Sequence, residues 1–274
     1  MFSTRFIWRT VGLAALLSTL ICIFGFVYAV NQIIYPKPAV STETQAPAET
    51  EKPDSPPMAD KDKINIVALG DSLTAGTGDL TGRGYVGQTK EMLADRLGKP
   101  VYVLNNFAIP GYRTTDLLKD MDANKGIGTA VSEADIVLLT IGANDLFQGG
   151  QDIFSGESDE GFNPGAGVGR MPAAMQRLEQ IIDRLHQYNP NAIICYVGLY
   201  HPFLDIDTKR DGGPIIQQWN SEAFQLANRY SHVIVVPTYD LFELNLSRYL
   251  YTDHFHPNQD GYARIAERIA QIVH

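Results

Sequence analysis

The chain has 274 residues, 45% of them hydrophobic and 19% charged, the composition of a globular protein with room for one full-sized domain or two small ones. Its formal net charge is −9, and because Arg5 and Arg9 are the only charged residues before position 37, the remainder carries a net −11. So acidic a surface repels polyanions, which excludes nucleic acid as a partner.

The first predicted element is an apolar helix. From Thr10 to Pro36 there is no charged residue, and Val11 to Val30 is nearly unbroken hydrophobic sequence. Twenty helical residues reach roughly 30 Å, the thickness of a bilayer's hydrocarbon core. Arg5 and Arg9 precede the run and an acidic, proline-rich stretch follows it, so the positive-inside rule places the N-terminus in the cytoplasm and the rest outside. Residues 1–35 therefore read as a single-pass anchor in the cell membrane. The alternative is secretion after signal cleavage, since Val27-Tyr28-Ala29 resembles a small-residue cleavage site. Cys22 lies in this run without the small residue before it that lipoprotein processing needs, and Cys195 lies in a predicted strand, so no disulfide is expected within the domain.

Residues 36–63 come next and contain Pro36, Pro38, Pro47, Pro53, Pro56 and Pro57 among Thr, Ser, Ala and Glu. With almost nothing apolar to bury, they read as a disordered linker.

From residue 64 short β-branched runs alternate with helical periodicity. The strands are expected at 64–69, Val101–Asn105, Asp135–Ile141, Ala192–Gly198 and Val233–Val236, each apolar enough to be covered on both faces. Helices are expected at Gly87–Leu97, Thr114–Asp120, Met171–Tyr188, Ile215–Tyr230 and Gln259–Val273. The alternation builds right-handed βαβ units, so residues 64–274 are expected to form one α/β domain: a flavodoxin-like, five-stranded parallel sheet in a three-layer αβα arrangement. The glycine-rich segment Phe147–Arg170 interrupts this rhythm and reads as an irregular excursion.

Parallel sheets bind ligands at the carboxyl ends of their strands. Gly70-Asp71-Ser72-Leu73, Ala108-Ile109-Pro110-Gly111-Tyr112 and Gly142-Ala143-Asn144-Asp145 all follow predicted strands, and Asp253-His254-Phe255-His256-Pro257 precedes the last helix. Each has a plain reading on its own. Ser72 suits a helix N-cap, and Gly111 and Asn144 suit turns. His201, beside Pro202 and Phe203, either lines a pocket or caps a loop. His254 and His256 make a His-x-His pair, but no further histidine cluster supports it, so zinc is not expected there.

Taken together, the four blocks resemble the SGNH or GDSL-type esterase and lipase family, in particular its membrane-anchored Gram-positive acylhydrolases. The family's Ser, Gly, Asn and His fall on Ser72, Gly111, Asn144 and His256, with Asp253 three residues before the histidine. The resemblance implies a catalytic triad of Ser72, His256 and Asp253, and an oxyanion hole from the backbone N–H groups of Ser72 and Gly111 and the amide of Asn144. The chemistry agrees, because a serine hydroxyl needs a base to become nucleophilic and the base needs a carboxylate to fix its tautomer, and a site so equipped is expected to need no metal or cofactor. Asp71 reads as structural support for the nucleophile loop.

The expected function is therefore an extracytoplasmic serine esterase or lipase-type acylhydrolase whose partners are its ester substrate and, through the N-terminal helix, a membrane. On the same site, a lysophospholipase, thioesterase or glycan O-deacetylase is the alternative. A different class, a catalytically inactive wall- or lipid-binding domain, is compatible with the fold alone.

Overall fold

A computed structural model describes residues 4–34, 58–148 and 164–273, in two compact units, Met1–Lys52 and Pro53–His274. The linker from 36 to 57 and most of the glycine-rich segment, 149–163, lie outside the described residues.

In the first unit helix α1 spans Thr4–Ile34, with Leu13, Leu16, Leu17, Leu20, Ile21, Phe24 and Phe26 all exposed. Its side chains are described without a break only from 12 to 26, a stretch of about 22 Å at the helical rise per residue. Among the described residues, no helix is long and apolar enough to cross a membrane. The expected span from Val11 to Val30 overruns that stretch at both ends.

The second unit is built on five parallel strands: β1 (Ile64–Gly70), β2 (Val101–Asn106), β3 (Ile136–Thr140), β4 (Ile193–Val197) and β5 (Val233–Val236). Their order is β2-β1-β3-β4-β5, so the chain reverses direction of travel between β1 and β3, the flavodoxin-like switch point. The strands' two-residue side-chain period divides the interior into two cores. Val67, Leu69, Val137, Leu139 and Ile194 face one layer, made by α4 (Thr114–Ala123), α5 (Lys125–Ser132), α7 (Met171–Tyr188) and α8 (Gly212–Ala227). Ile64, Ile66, Ala68, Ile136, Leu138 and Cys195 face the other, made by α3 (Gly84–Leu97), α11 (Gln259–Ile272) and two short helices, α9 (Tyr239–Glu243) and α10 (Leu246–Tyr249). Helix α7 buries Ala174, Leu178, Ile181, Ile182 and Leu185, recurring every three or four residues on one stripe.

The structure departs from the sequence reading in several places, among them helices α5, α9 and α10, which fall where no helix is expected. Strand β2 is an edge strand and is not covered on both faces: Tyr102 and Leu104 are exposed, since no neighbour lies beyond it. Residues 58–63, assigned above to the linker, carry a 3-10 turn at Met58–Asp60, and the ammonium of Lys99 donates to the carbonyls of Met58 and Lys61. The short helices α2 (Ser72–Ala75) and α6 (Ala143–Phe147) stand at the first and third strand ends, where one or two turns are too brief to leave a periodic signal.

Candidate active site

The first strand delivers Ser72 through a tight exit. Gly70 sits at φ +133°, and a Cβ there would lie 1.9 Å from the Thr140 carbonyl oxygen of β3, so only glycine lets the two strand ends approach this closely. Asp71 then caps α2. Its buried Oδ1 accepts the Leu73 N–H (3.1 Å) and the Thr140 hydroxyl (2.7 Å). Burial pushes the Asp71 carboxyl above its ordinary value, against the pull of those two hydrogen bonds. Thr140 also meets the Thr74 hydroxyl at 2.7 Å, and Thr74 in turn meets the Tyr85 hydroxyl at 2.7 Å. This buried chain fixes the turn that presents Ser72 at the helix N-terminus.

His256 arrives on the segment before α11. The Tyr251 N–H donates to the His256 carbonyl (2.8 Å), and Leu250 bridges Pro257, closing a narrow loop. At its foot, Asn258 caps α11 by accepting from Asp260 and Gly261 while its amide holds the carbonyls of Arg248 and Leu250. Within the loop His254 adopts φ +55°, and Asp253 Oδ1 accepts the N–H groups of Phe255 and His256, both at 3.0 Å.

The three side chains meet in one line. The Ser72 hydroxyl lies 2.8 Å from His256 Nε2, and His256 Nδ1 lies 2.7 Å from Asp253 Oδ2. With Nδ1 protonated, the ring donates to Asp253 and leaves Nε2 to accept from Ser72, the tautomer that general-base work requires. Partial burial works to raise the Asp253 carboxyl, but the hydrogen bonds from the His256 ring and the two backbone amides outweigh it and hold the group below its ordinary value. Asp253 is therefore a carboxylate at neutral pH.

The remaining two blocks converge on the same end of the sheet. The Ile109 N–H donates to the Gly70 carbonyl (3.0 Å), which pins the loop carrying Gly111 against the exit of β1. Gly142, at φ +118°, lies under Trp219, whose ring would sit 2.2 Å from any Cβ, and starts α6, which carries Asn144. One amide N–H of Asn144 goes to the Tyr112 carbonyl at 2.9 Å, which joins that loop to α6 and leaves the second for another acceptor. The backbone N–H groups of Ser72 and Gly111 make no hydrogen bond among the described residues.

Sequence reasoning missed the clamp behind these donors. Buried Asp145 accepts the Thr114 N–H (2.9 Å) and hydroxyl (2.6 Å), while Arg177 of α7 reaches the Thr114 oxygen at 2.8 Å and Asp145 at 3.1 Å. Arg170 holds the carbonyls of Asp145 and Leu146. The clamp ties α4, after the Gly111 loop, to α6. Asp145 was visible beside Asn144, but Arg177 lies in an ordinary amphipathic helix with no local signal. His201 falls outside this cluster: its Nε2 meets Asp207 at 2.8 Å, and burial lowers its affinity for a proton. Among the described residues, no group of three or more His, Cys, Asp or Glu is arranged to hold a metal ion.

Residues 68–264 match the GDSL-like lipase/acylhydrolase family. The chain belongs to that family. It is a carboxylic ester hydrolase of the GDSL type. It is 34% identical over 217 residues to the uncharacterized protein YpmR of Bacillus subtilis, covering 78% of this chain and 82% of that one. It is 28% identical over 207 residues to the spore germination lipase LipC of Bacillus licheniformis, covering 75% and 94% of the two chains. Among solved structures, the lipase Lip_vut3 from a goat rumen metagenome superposes with a TM-score of 0.66 at 25% identity, over 76% of this chain and 96% of that one.

Proposed function

We propose that the enzyme cleaves its ester through a covalent acyl-enzyme on Ser72, with His256 as general base and Asp253 as its orienting carboxylate. The observation that carries the reading is the unbroken line Ser72–His256–Asp253, with contacts of 2.8 and 2.7 Å. His256 takes the serine proton as Oγ attacks the ester carbonyl, and Asp253 stabilises the imidazolium that forms. The new oxyanion turns toward the N–H groups of Ser72 and Gly111 and the free N–H of Asn144. Collapse of the tetrahedral intermediate expels the alcohol, which takes the proton from His256. A water, deprotonated by the same ring, then releases the acid and restores Ser72.

The role of Asn144 has its own test. Asn144→Ala is expected to lower kcat by about 100- to 1000-fold, the usual cost of one preorganised oxyanion donor, with KM little changed. Steady-state kinetics on a soluble ester measure this. An unaltered kcat would remove Asn144 from the oxyanion hole.

We further propose that this chemistry takes place outside the cytoplasmic membrane, with residues 1–35 as the tether. The charge-free run from Thr10 to Pro36, the preceding Arg5 and Arg9, and the exposed apolar side chains of α1 support that reading. Alkaline carbonate should leave the full chain in the membrane pellet, and protease added to intact cells should remove the hydrolase domain. Release into the supernatant would contradict the anchor.

A further inference from the structure

Beside the catalytic turn lies a cavity of about 810 Å³ whose apolar lining comes from two separate segments. Pro202, Phe203 and Ile206 belong to the loop after β4, and Leu250 and Phe255 to the segment that carries Asp253 and His256. Asp253 itself lines the same cavity. The aromatic wall runs into the catalytic ring: Phe203 and Phe255 are 5.4 Å apart by ring centroids, and Phe255 meets the His256 imidazole edge-on at 4.8 Å. On the other side Phe203 packs against Phe147 of α6, the helix that carries Asn144.

Both walls are held open by polar anchoring. The Asp207 carboxylate gathers the His201 ring (2.8 Å) and the N–H groups of Asp211 (3.0 Å) and Gly212 (2.8 Å), and the Asp207 N–H returns to the Phe203 carbonyl (2.9 Å). Opposite, the Tyr200 hydroxyl donates to the Phe255 carbonyl at 2.5 Å. A cavity of this size with pre-set walls is the form that ligand sites take.

We infer that this cavity receives a hydrocarbon chain of the ester substrate, so that the enzyme prefers medium or long aliphatic esters to acetyl esters of glycans. The inference rests on the acyl-enzyme reading above. The charge pattern limits the occupant: Asp205 and Asp253 lie in the lining, and the described lining residues include no lysine or arginine. A phosphate or carboxylate would meet the like charge of these two acids, with His254 the one nitrogen base in the described lining, whereas a neutral alkyl chain gains by leaving water. Ile206, which remains substantially exposed at 45%, is hydrophobic surface that such a chain would cover.

The chain has two possible sources, the acid or the alcohol of the ester, and the test separates them. The full-length protein, its Ile206→Trp and Ile206→Glu variants and Ser72→Ala would be assayed below the critical micelle concentration on two series: p-nitrophenyl esters from acetyl to octanoyl, and acetates of alcohols from ethanol to octanol. For the wild type, kcat/KM is expected to rise by up to about fourfold per methylene along one series, the factor set by transferring a methylene out of water. Ile206→Trp should cut the octyl-to-short ratio in that series by about tenfold by obstructing the part of the cavity that Ile206 lines, and Ile206→Glu should do the same by adding a third acid to it. A dependence in the acyl series assigns the cavity to the acid, and one in the alcohol series assigns it to the leaving group. If neither series depends on length, or both variants keep the wild-type ratio while thermal melts show them folded, the cavity assignment is overturned although Ser72-dependent acetyl hydrolysis persists. If wild type and Ser72→Ala hydrolyse every ester at the same rate, it is the acyl-enzyme reading that fails, and this inference with it.

Discussion

Ser72→Ala is expected to lower kcat for ester hydrolysis by roughly a hundred-thousand- to million-fold, the scale on which removal of a serine nucleophile acts when its base and oxyanion donors remain. The substitution takes away the atom proposed to form the acyl-enzyme, and His256 Nε2 loses the hydroxyl that lies 2.8 Å away. Little else changes. The cap of α2 is the Asp71 carboxylate, and alanine is a strong helix former, so the local turn keeps its hydrogen bonds. The variant should therefore melt within a few degrees of wild type, and turnover assays beside circular-dichroism melts would separate a chemical loss from an unfolded protein. Residual activity near the wild-type level in a clean preparation would mean that another group attacks the ester.

Asp253→Asn should have the next largest effect, about a 10,000-fold loss in kcat. Asparagine matches the carboxylate in shape, but its amide nitrogen donates where Asp253 Oδ2 accepts, 2.7 Å from His256 Nδ1. The ring is then driven to the tautomer with its proton on Nε2, which cannot take the proton of Ser72. The carboxylate also stabilises structure. Because hydrogen bonds hold its folded-state value below the ordinary 3.8, the stability they contribute is fully present above that value and is lost only as pH falls through the lower folded value. At neutral pH the charge is in place, and the loss in Asp253→Asn should appear across the whole neutral range in kcat measured against pH. A variant within tenfold of wild type would take Asp253 out of the reaction.

How much of this was legible in the sequence follows from the length scale of each signal. The strands were readable as short apolar runs, which in β1, β3 and β4 lie largely buried between the two helical layers, and β5 fell on Val233–Val236 in both readings. Helix α7 was readable because its apolar stripe repeats over eighteen residues. Helices α2 and α6 were not, since four or five residues make no period, although they set the direction of Ser72 and Asn144. The edge position of β2 depends on strand order, which local composition does not encode. The same limit applies at the site. Ser72, Gly111, Asn144, Asp253 and His256 stand in short blocks at strand ends and before a helix, whereas Thr140, Thr114 and Arg177, which bond the carboxylates of Asp71 and Asp145 beside Ser72 and Asn144, are ordinary residues until the fold brings them within 3 Å or so of those carboxylates. The cavity between the loop after β4 and the catalytic turn likewise exists only in three dimensions, since its walls are more than forty residues apart in the chain.

The most direct measurement of the central claim is a rapid-quench experiment on the full-length protein with a p-nitrophenyl ester, followed by peptide mapping in a mass spectrometer. The proposed mechanism predicts a peptide containing Ser72 heavier by the mass of the acyl group, formed in step with the burst of p-nitrophenolate and absent from Ser72→Ala. Hydrolysis with no acylated peptide at any quench time, or with the acyl group on a different residue, would contradict it.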